Sequence, residues 1–164
     1  MADYTALNSK ARKQFYEKLR DYFGLPPDFS FGDDLLFVSS KNRYFVMDRT
    51  YVEVVNAGYN VKVLGNYIAE INEFGEIRLS IEGSQMIGPH ATSHLLELSP
   101  EDVERFIRGA DLDISVRVKQ EGLSNHYYII WYTDTHKMKH YLGCAKIKNG
   151  TLFNFTPKNR RIRD

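Results

Sequence analysis

A chain of 164 residues that is 43% hydrophobic and 26% charged can bury one good core, or two small ones that share an interface. Its formal net charge is +1, so total charge says nothing for or against a polyanionic partner, and that argument must rest on where the charges sit. The single cysteine, Cys144, excludes an internal disulfide and a cysteine-rich zinc site and suits a reducing cytoplasm. The opening MADYTALNSKARKQF has no apolar signal region, and no run approaches the ~20 apolar residues that span a bilayer, so no membrane partner is expected.

Residues 9–23 place Ala11, Phe15, Leu19 and Phe23 at i, i+4 spacing, one apolar stripe that predicts an amphipathic helix. Asn8 or Ser9 can cap it, and Gly24 followed by Pro26 and Pro27 stops it. The apolar runs 35–38 and 43–47 predict a hairpin. Asp48 stands as an N-cap for a helix over 49–57, with Val52 and Val55 inward and Gly58 at its end. Strands are predicted at 61–64, 67–72 and 76–81, the last two joined across Glu73-Phe74-Gly75. For 82–92 the pattern assigns only a break at Gly88-Pro89.

From residue 93 the pattern restarts, with a strand at 94–98 and then the strongest local signal, 99–109. Ser99 is the N-cap, Pro100 fits N1, and Glu101 and Asp102 put negative charge on the positive end of the helix. Leu98 and Val103 form a hydrophobic staple, and Gly109 lies just past the end. Strands are predicted at 112–119, 126–132 and 139–148, then an Asn149-Gly150 type I′ turn into 151–155, with Pro157 ending the ladder. The reading is therefore an α+β chain: a mixed α/β unit over 1–92, packed directly on a closed or nearly closed β-barrel over 93–164.

Charge separates along the chain. Residues 136–164 hold Lys137, Lys139, Lys146, Lys148, Lys158, Arg160, Arg161 and Arg163, with Asp164 as their only acid. Lys146 and Lys148 are two apart on a strand, so both should project from one face, exposed, close to the basic tail. Tyr127, Tyr128, Trp131, Tyr132, Tyr141, Phe153 and Phe155 interleave with this region, and any that face outward, Tyr141 among them, could stack on bases. A basic face with aromatics points to RNA.

Catalytic constellations are missing. His90 and His94 are four apart, as are His136 and His140, but neither pair falls on a predicted helix, so no metal site is assigned. No Gly-x-Ser-x-Gly frame, dinucleotide fingerprint or phosphate loop is present, and Cys144 sits in an apolar strand as a core residue. The expectation is a protein that is not an enzyme, with no catalytic residue, metal or cofactor.

Residues 105–114, RFIRGADLDI, and 141–150, YLGCAKIKNG, resemble signature blocks of the PUA family of RNA-binding domains. The run LELSPEDVERFIRG followed by GCAKIKNGTLFNFTPKNRR is similar to the PUA-like domain at the C-terminus of Fmu/RsmF-type rRNA cytosine-5 methyltransferases. The order of the two halves is similar to the small pre-PUA/PUA ribosome-biogenesis factors of archaea and eukaryotes. The resemblance covers about residues 94–164; over 1–92 it is architectural only. It implies RNA binding through Arg105, Arg108, Lys146, Lys148, Lys158, Arg160 and Arg161, in rRNA maturation or ribosome biogenesis. The implied partners are RNA, rRNA ahead of tRNA, and a methyltransferase or ribosome-assembly protein. The alternative is a protein-interaction subunit of an RNA-modifying or processing complex.

Overall fold

The computed structural model describes residues 4–51, 53, 57 and 65–163. Helix α1 spans Ser9–Phe23, as the apolar stripe predicts, and buries Phe15, Tyr16, Leu19 and Phe23. The Asn8 side chain accepts from the Ala11 N–H at 2.9 Å, satisfying one of the donors that a helix start leaves free. The first sheet is fully antiparallel and follows chain order: β1 (Tyr4–Ala6), β2 (Leu35–Ser39), β3 (Arg43–Met47), β4 (Asn66–Ile71) and β5 (Ile77–Leu79). β1 has no counterpart in the sequence reading; three residues carry too little pattern to mark a strand, and only its pairing with β2 defines it. Of the helix expected over 49–57, the described part begins as a 3-10 turn at Arg49–Tyr51 capped by Asp48, whose carboxylate accepts from the Thr50 N–H at 2.8 Å. Most of the rest, and the strand expected at 61–64, lie outside the described residues. The stretch after β5 forms a short helix, α2 (Ile81–Ile87), capped by Ser80 and continued by a 3-10 turn over Gly88–His90.

The second sheet runs β6-β8-β9-β10-β7, with β6 (Leu95–Glu97), β7 (Leu112–Asp113), β8 (Tyr127–Thr133), β9 (Lys139–Lys148) and β10 (Thr151–Asn154). Only β6 and β8 are parallel. The sheet curls into a half-barrel, and among the described residues β6 and β7 remain its edges, so the expected closure is not made by hydrogen bonds. Helix α3 (Pro100–Ile107) forms where the cap and staple place it, with Ser99 Oγ accepting from the Asp102 N–H at 3.2 Å. The strand expected over 112–119 stops after two residues, and α4 (Ser115–Glu121) takes its place. The β-branched Ile114, Val116 and Val118 read as strand, but tertiary context overrides that weak preference. Asp113 Oδ1 accepts from the Ser115 N–H at 2.9 Å, Arg117 pairs with Glu121 one turn on at 2.7 Å, and Gly122 closes the helix in the left-handed region at φ 65°. Asn149 and Gly150, at φ 51° and 82°, make the positive-φ hairpin turn predicted between β9 and β10.

Strand alternation gives the second sheet two apolar faces. Tyr128, Ile130, Ala145 and Ile147 point inward and pack with Val103 and Phe106 of α3. Ile129 and Cys144 point the other way and join the core built by α1, β2, β4 and β5. The two halves of the sequence thus share a core across this seam. Their crossing point is anchored: the Thr92 and Ser93 N–H groups donate to the Phe23 carbonyl at 2.9 and 3.0 Å, and Ser93 Oγ donates to the Tyr22 carbonyl at 2.8 Å. Segment 92–94 therefore serves as the C-terminal cap of α1. Gly24, at φ 61°, is required there twice over, since a Cβ would strike the Thr92 hydroxyl.

Candidate nucleic-acid interface

The register of β8, β9 and β10 sets the site. Tyr127, Lys146 and Phe153 are cross-strand neighbours, and Lys148 stands beside Thr151, so all five share the sheet face that carries Cys144. At the Cys144 end that face is covered by the first half of the chain. At the other end it is open: Phe153 is 38% exposed and Lys148 is exposed, and Phe155, just past the end of β10, is 41% exposed. Phe155 lies 5.7 Å from Tyr127, ring centre to ring centre, and the Arg78 guanidinium sits 5.4 Å over its ring.

The two lysines share a face, as predicted, but not an environment. Lys146 is not the exposed side chain the alternation implies. Its ammonium lies 2.8 Å from Glu76 Oε2 and 4.9 Å over the Tyr127 ring, leaving the side chain 25% exposed. Glu76 belongs to the β4–β5 turn, and also accepts from Asn72 Nδ2 at 2.9 Å and lies 3.5 Å from His126 Nδ1. Burial pushes the Glu76 carboxyl up, but bonds from Lys146 and Asn72 outweigh it, so the group titrates below the ordinary carboxylate range. Lys148 has no such partner: no carboxylate among the described residues lies within ion-pair distance of it.

The remaining cations are dispersed. Arg160 is held 2.9 Å from Glu82 of α2, Arg161 Nε donates to the Thr156 carbonyl at 2.9 Å with its side chain against Gly109, and Lys158 is exposed. Arg105 lies on α3 and Arg108 caps its C-terminal end, and α3 packs on the opposite face of the second sheet. They sit 3.5 Å from Asp102 and 3.6 Å from Glu104, so carboxylates of the same helix offset their charge. Tyr141 is not an outward stacking residue; its ring packs against Gly88 at the seam. Arg78 and the outward orientation of Tyr127 escape the sequence reading, although the Tyr127–Lys146–Phe153 alternation contains the second.

Beside this face, β5, α2, β9 and the tail enclose a cavity of about 130 Å³. A more open cleft of about 390 Å³ lies at the seam, between Lys18, Asp21, Tyr22, Phe74, His94 and His126. There His94 stacks on Tyr22 at 4.3 Å, and its Nδ1 lies 2.6 Å from the Tyr22 carbonyl, which can only accept, so Nδ1 carries the proton. Burial holds the His94 imidazole below its ordinary range. The Tyr22 hydroxyl is used structurally: it accepts from the Tyr127 N–H at 3.1 Å, and burial pushes its titration up. Of the histidines spaced four apart, His140 bonds Asp134 at 2.8 Å and His136 lies in the preceding turn. Among the described residues no three His, Cys, Asp or Glu side chains are grouped to hold a metal ion. Cys144 is buried, which pushes its thiol up to about 12 and leaves it a core residue. Among the same residues, no helix is long and apolar enough to cross a membrane.

No protein-family model matches the chain, and no curated protein matches it.

Proposed function

We propose that the chain is a non-catalytic RNA-binding protein that acts in rRNA maturation or ribosome biogenesis, with the open end of the second sheet as its RNA surface. The observation that carries this is the exposed face on which Lys148, Phe153 and Phe155 adjoin Tyr127, Lys146 and Arg78. Aromatic rings on a sheet surface can stack on bases of any identity, and cations beside them meet the phosphates between. The rRNA setting rests on the resemblance of residues 94–164 to PUA domains. Of the cations that the resemblance implies, Lys148 and Lys158 are the best placed to meet phosphate, Arg160 and Lys146 next, since each must share itself with a carboxylate. Arg105 and Arg108 make at most a second contact zone around the sheet edge.

A salt titration of single-stranded RNA binding tests this. With about three to four phosphate contacts the log–log slope should be about −2 to −3, from about −0.7 per contact. Replacing Phe153 with Ala should weaken binding about tenfold, from the loss of roughly 1–3 kcal/mol of stacking. Binding that ignores salt, or that survives both Phe153→Ala and Lys148→Glu in a folded protein, removes this face from consideration. One observation favours a protein partner on the other half: Phe74, at the tip of the β4–β5 turn, is 81% exposed.

A further inference from the structure

We propose that the cavity between β5, α2, β9 and the C-terminal tail takes one unstacked base of the RNA strand that crosses the neighbouring sheet face. The inference rests on the reading of that face as an RNA surface and specifies how one nucleotide is held there. Phe155 joins the two places: its ring contacts Tyr127 on the open face and also forms a wall of the cavity. A strand running over Tyr127 and Phe153 reaches the mouth of the cavity at that ring.

Size restricts the occupant. At about 130 Å³ the cavity is well below the ~300–1,000 Å³ of sites for whole small molecules, and it suits a single flat ring. Charge restricts it further. Arg78 and Arg160 line the space, but Arg78 lies 2.9 Å from Glu70 and Arg160 lies 2.9 Å from Glu82. Both arginines already have a carboxylate partner, Glu70 being shared with Arg43 at 3.1 Å, which makes the space a poorer seat for a free phosphate than for a neutral heterocycle. Phe155 supplies a π-face that is polarised by the Arg78 guanidinium above it, and Gly143 adds a wall without a side chain. Tyr67 brings a buried hydroxyl to the same wall, with Arg78 beside it.

The test compares hexauridylate with a hexamer of the same backbone that lacks bases, each titrated into isotope-labelled full-length protein. Hexauridylate should shift the amides of Lys148 and Thr151 on the face together with those of Gly143, Ser80 and Thr156 at the cavity. The baseless hexamer should shift the face alone and bind about a hundredfold more weakly, the size of two lost stacking contacts, one on Phe153 and one in the cavity. Phe155→Ala should narrow the gap between the two oligomers by about tenfold, leaving the share that Phe153 holds. Lys148→Glu should weaken both by a similar factor, which marks the face as separate from the cavity. Face shifts with a silent cavity would overturn the base pocket and leave the RNA surface standing, whereas equal affinity for the two oligomers would overturn the pocket and the stacking on the face together. No shift from either oligomer overturns both. Cavity shifts from inorganic phosphate alone would make the site an anion site and overturn the base assignment.

Discussion

The outer face of the second sheet has two ends. At one, Ile129 and Cys144 are sealed against α1 and the first sheet. At the other, a few residues along the same strands, Lys148 and Phe153 meet solvent. The strand alternation is the same in both, so the difference comes from what covers the sheet, and the cover ends at the β4–β5 turn where Glu76 reaches Lys146. A face that is half interface and half free explains why its two lysines behave differently. It also teaches that outward on a strand does not mean exposed in a protein whose halves pack sheet against core.

The largest effect should come from breaking the sealed end. Ile129→Ala removes a fully buried side chain from the shared core and should cost about 2–5 kcal/mol in urea unfolding, with RNA affinity of the folded fraction unchanged. Next is the boundary. Glu76→Gln should cost about 1–2 kcal/mol, between the values for exposed and fully buried pairs, because both side chains are mostly covered. The Glu76 carboxyl titrates lower in the folded protein than its unfolded value of about 4.3. Its contribution is therefore present above that pH and lost as pH falls through the lower folded value, so the stability curves of wild type and Glu76→Gln should converge in acid. Smaller still is the seam histidine. His94 is held below its unfolded value of about 6.5, so the unfolded chain binds more protons below that pH, and its contribution fades as pH falls towards the folded value. His94→Asn keeps a residue that tolerates the φ of 52° and should flatten the fall in melting temperature between about pH 7.5 and 5.5. The smallest stability effect belongs to the open end: Lys148→Glu should change unfolding by less than about 0.5 kcal/mol, while making the RNA salt slope shallower by about 0.7. If Lys148→Glu destabilises the protein as much as Glu76→Gln does, the contrast between the two ends fails.

Much of this was legible locally. The α1 stripe, the Ser99 cap with its staple, and the Asn149-Gly150 turn each carry several signals that agree over a few residues, and each element forms where they place it. The misreading at 115–121 has the opposite cause. Val116 and Val118 speak for strand, and the features that favour helix there, the Asp113 bond to the Ser115 N–H, the Arg117–Glu121 pair and Gly122, are individually weak. At the candidate site, the sharing of a face by Lys146 and Lys148 follows from spacing alone. The burial of Lys146 does not, because Glu76 lies seventy residues earlier and only the packing of the halves brings it near. For the same reason Arg105 and Arg108, which the resemblance joins to the other cations, part from them in space.

The anchoring of segment 92–94 to α1 bears on modularity. A cut between residues 92 and 93, where the sequence pattern restarts, would pass through the cluster that caps the Phe23 and Tyr22 carbonyls. The severed C-terminal piece would also carry Ile129 and Cys144 with nothing over them. Transplanted onto another protein, residues 93–164 would bring a sticky strip beside their basic one, and solubility would suffer before affinity did.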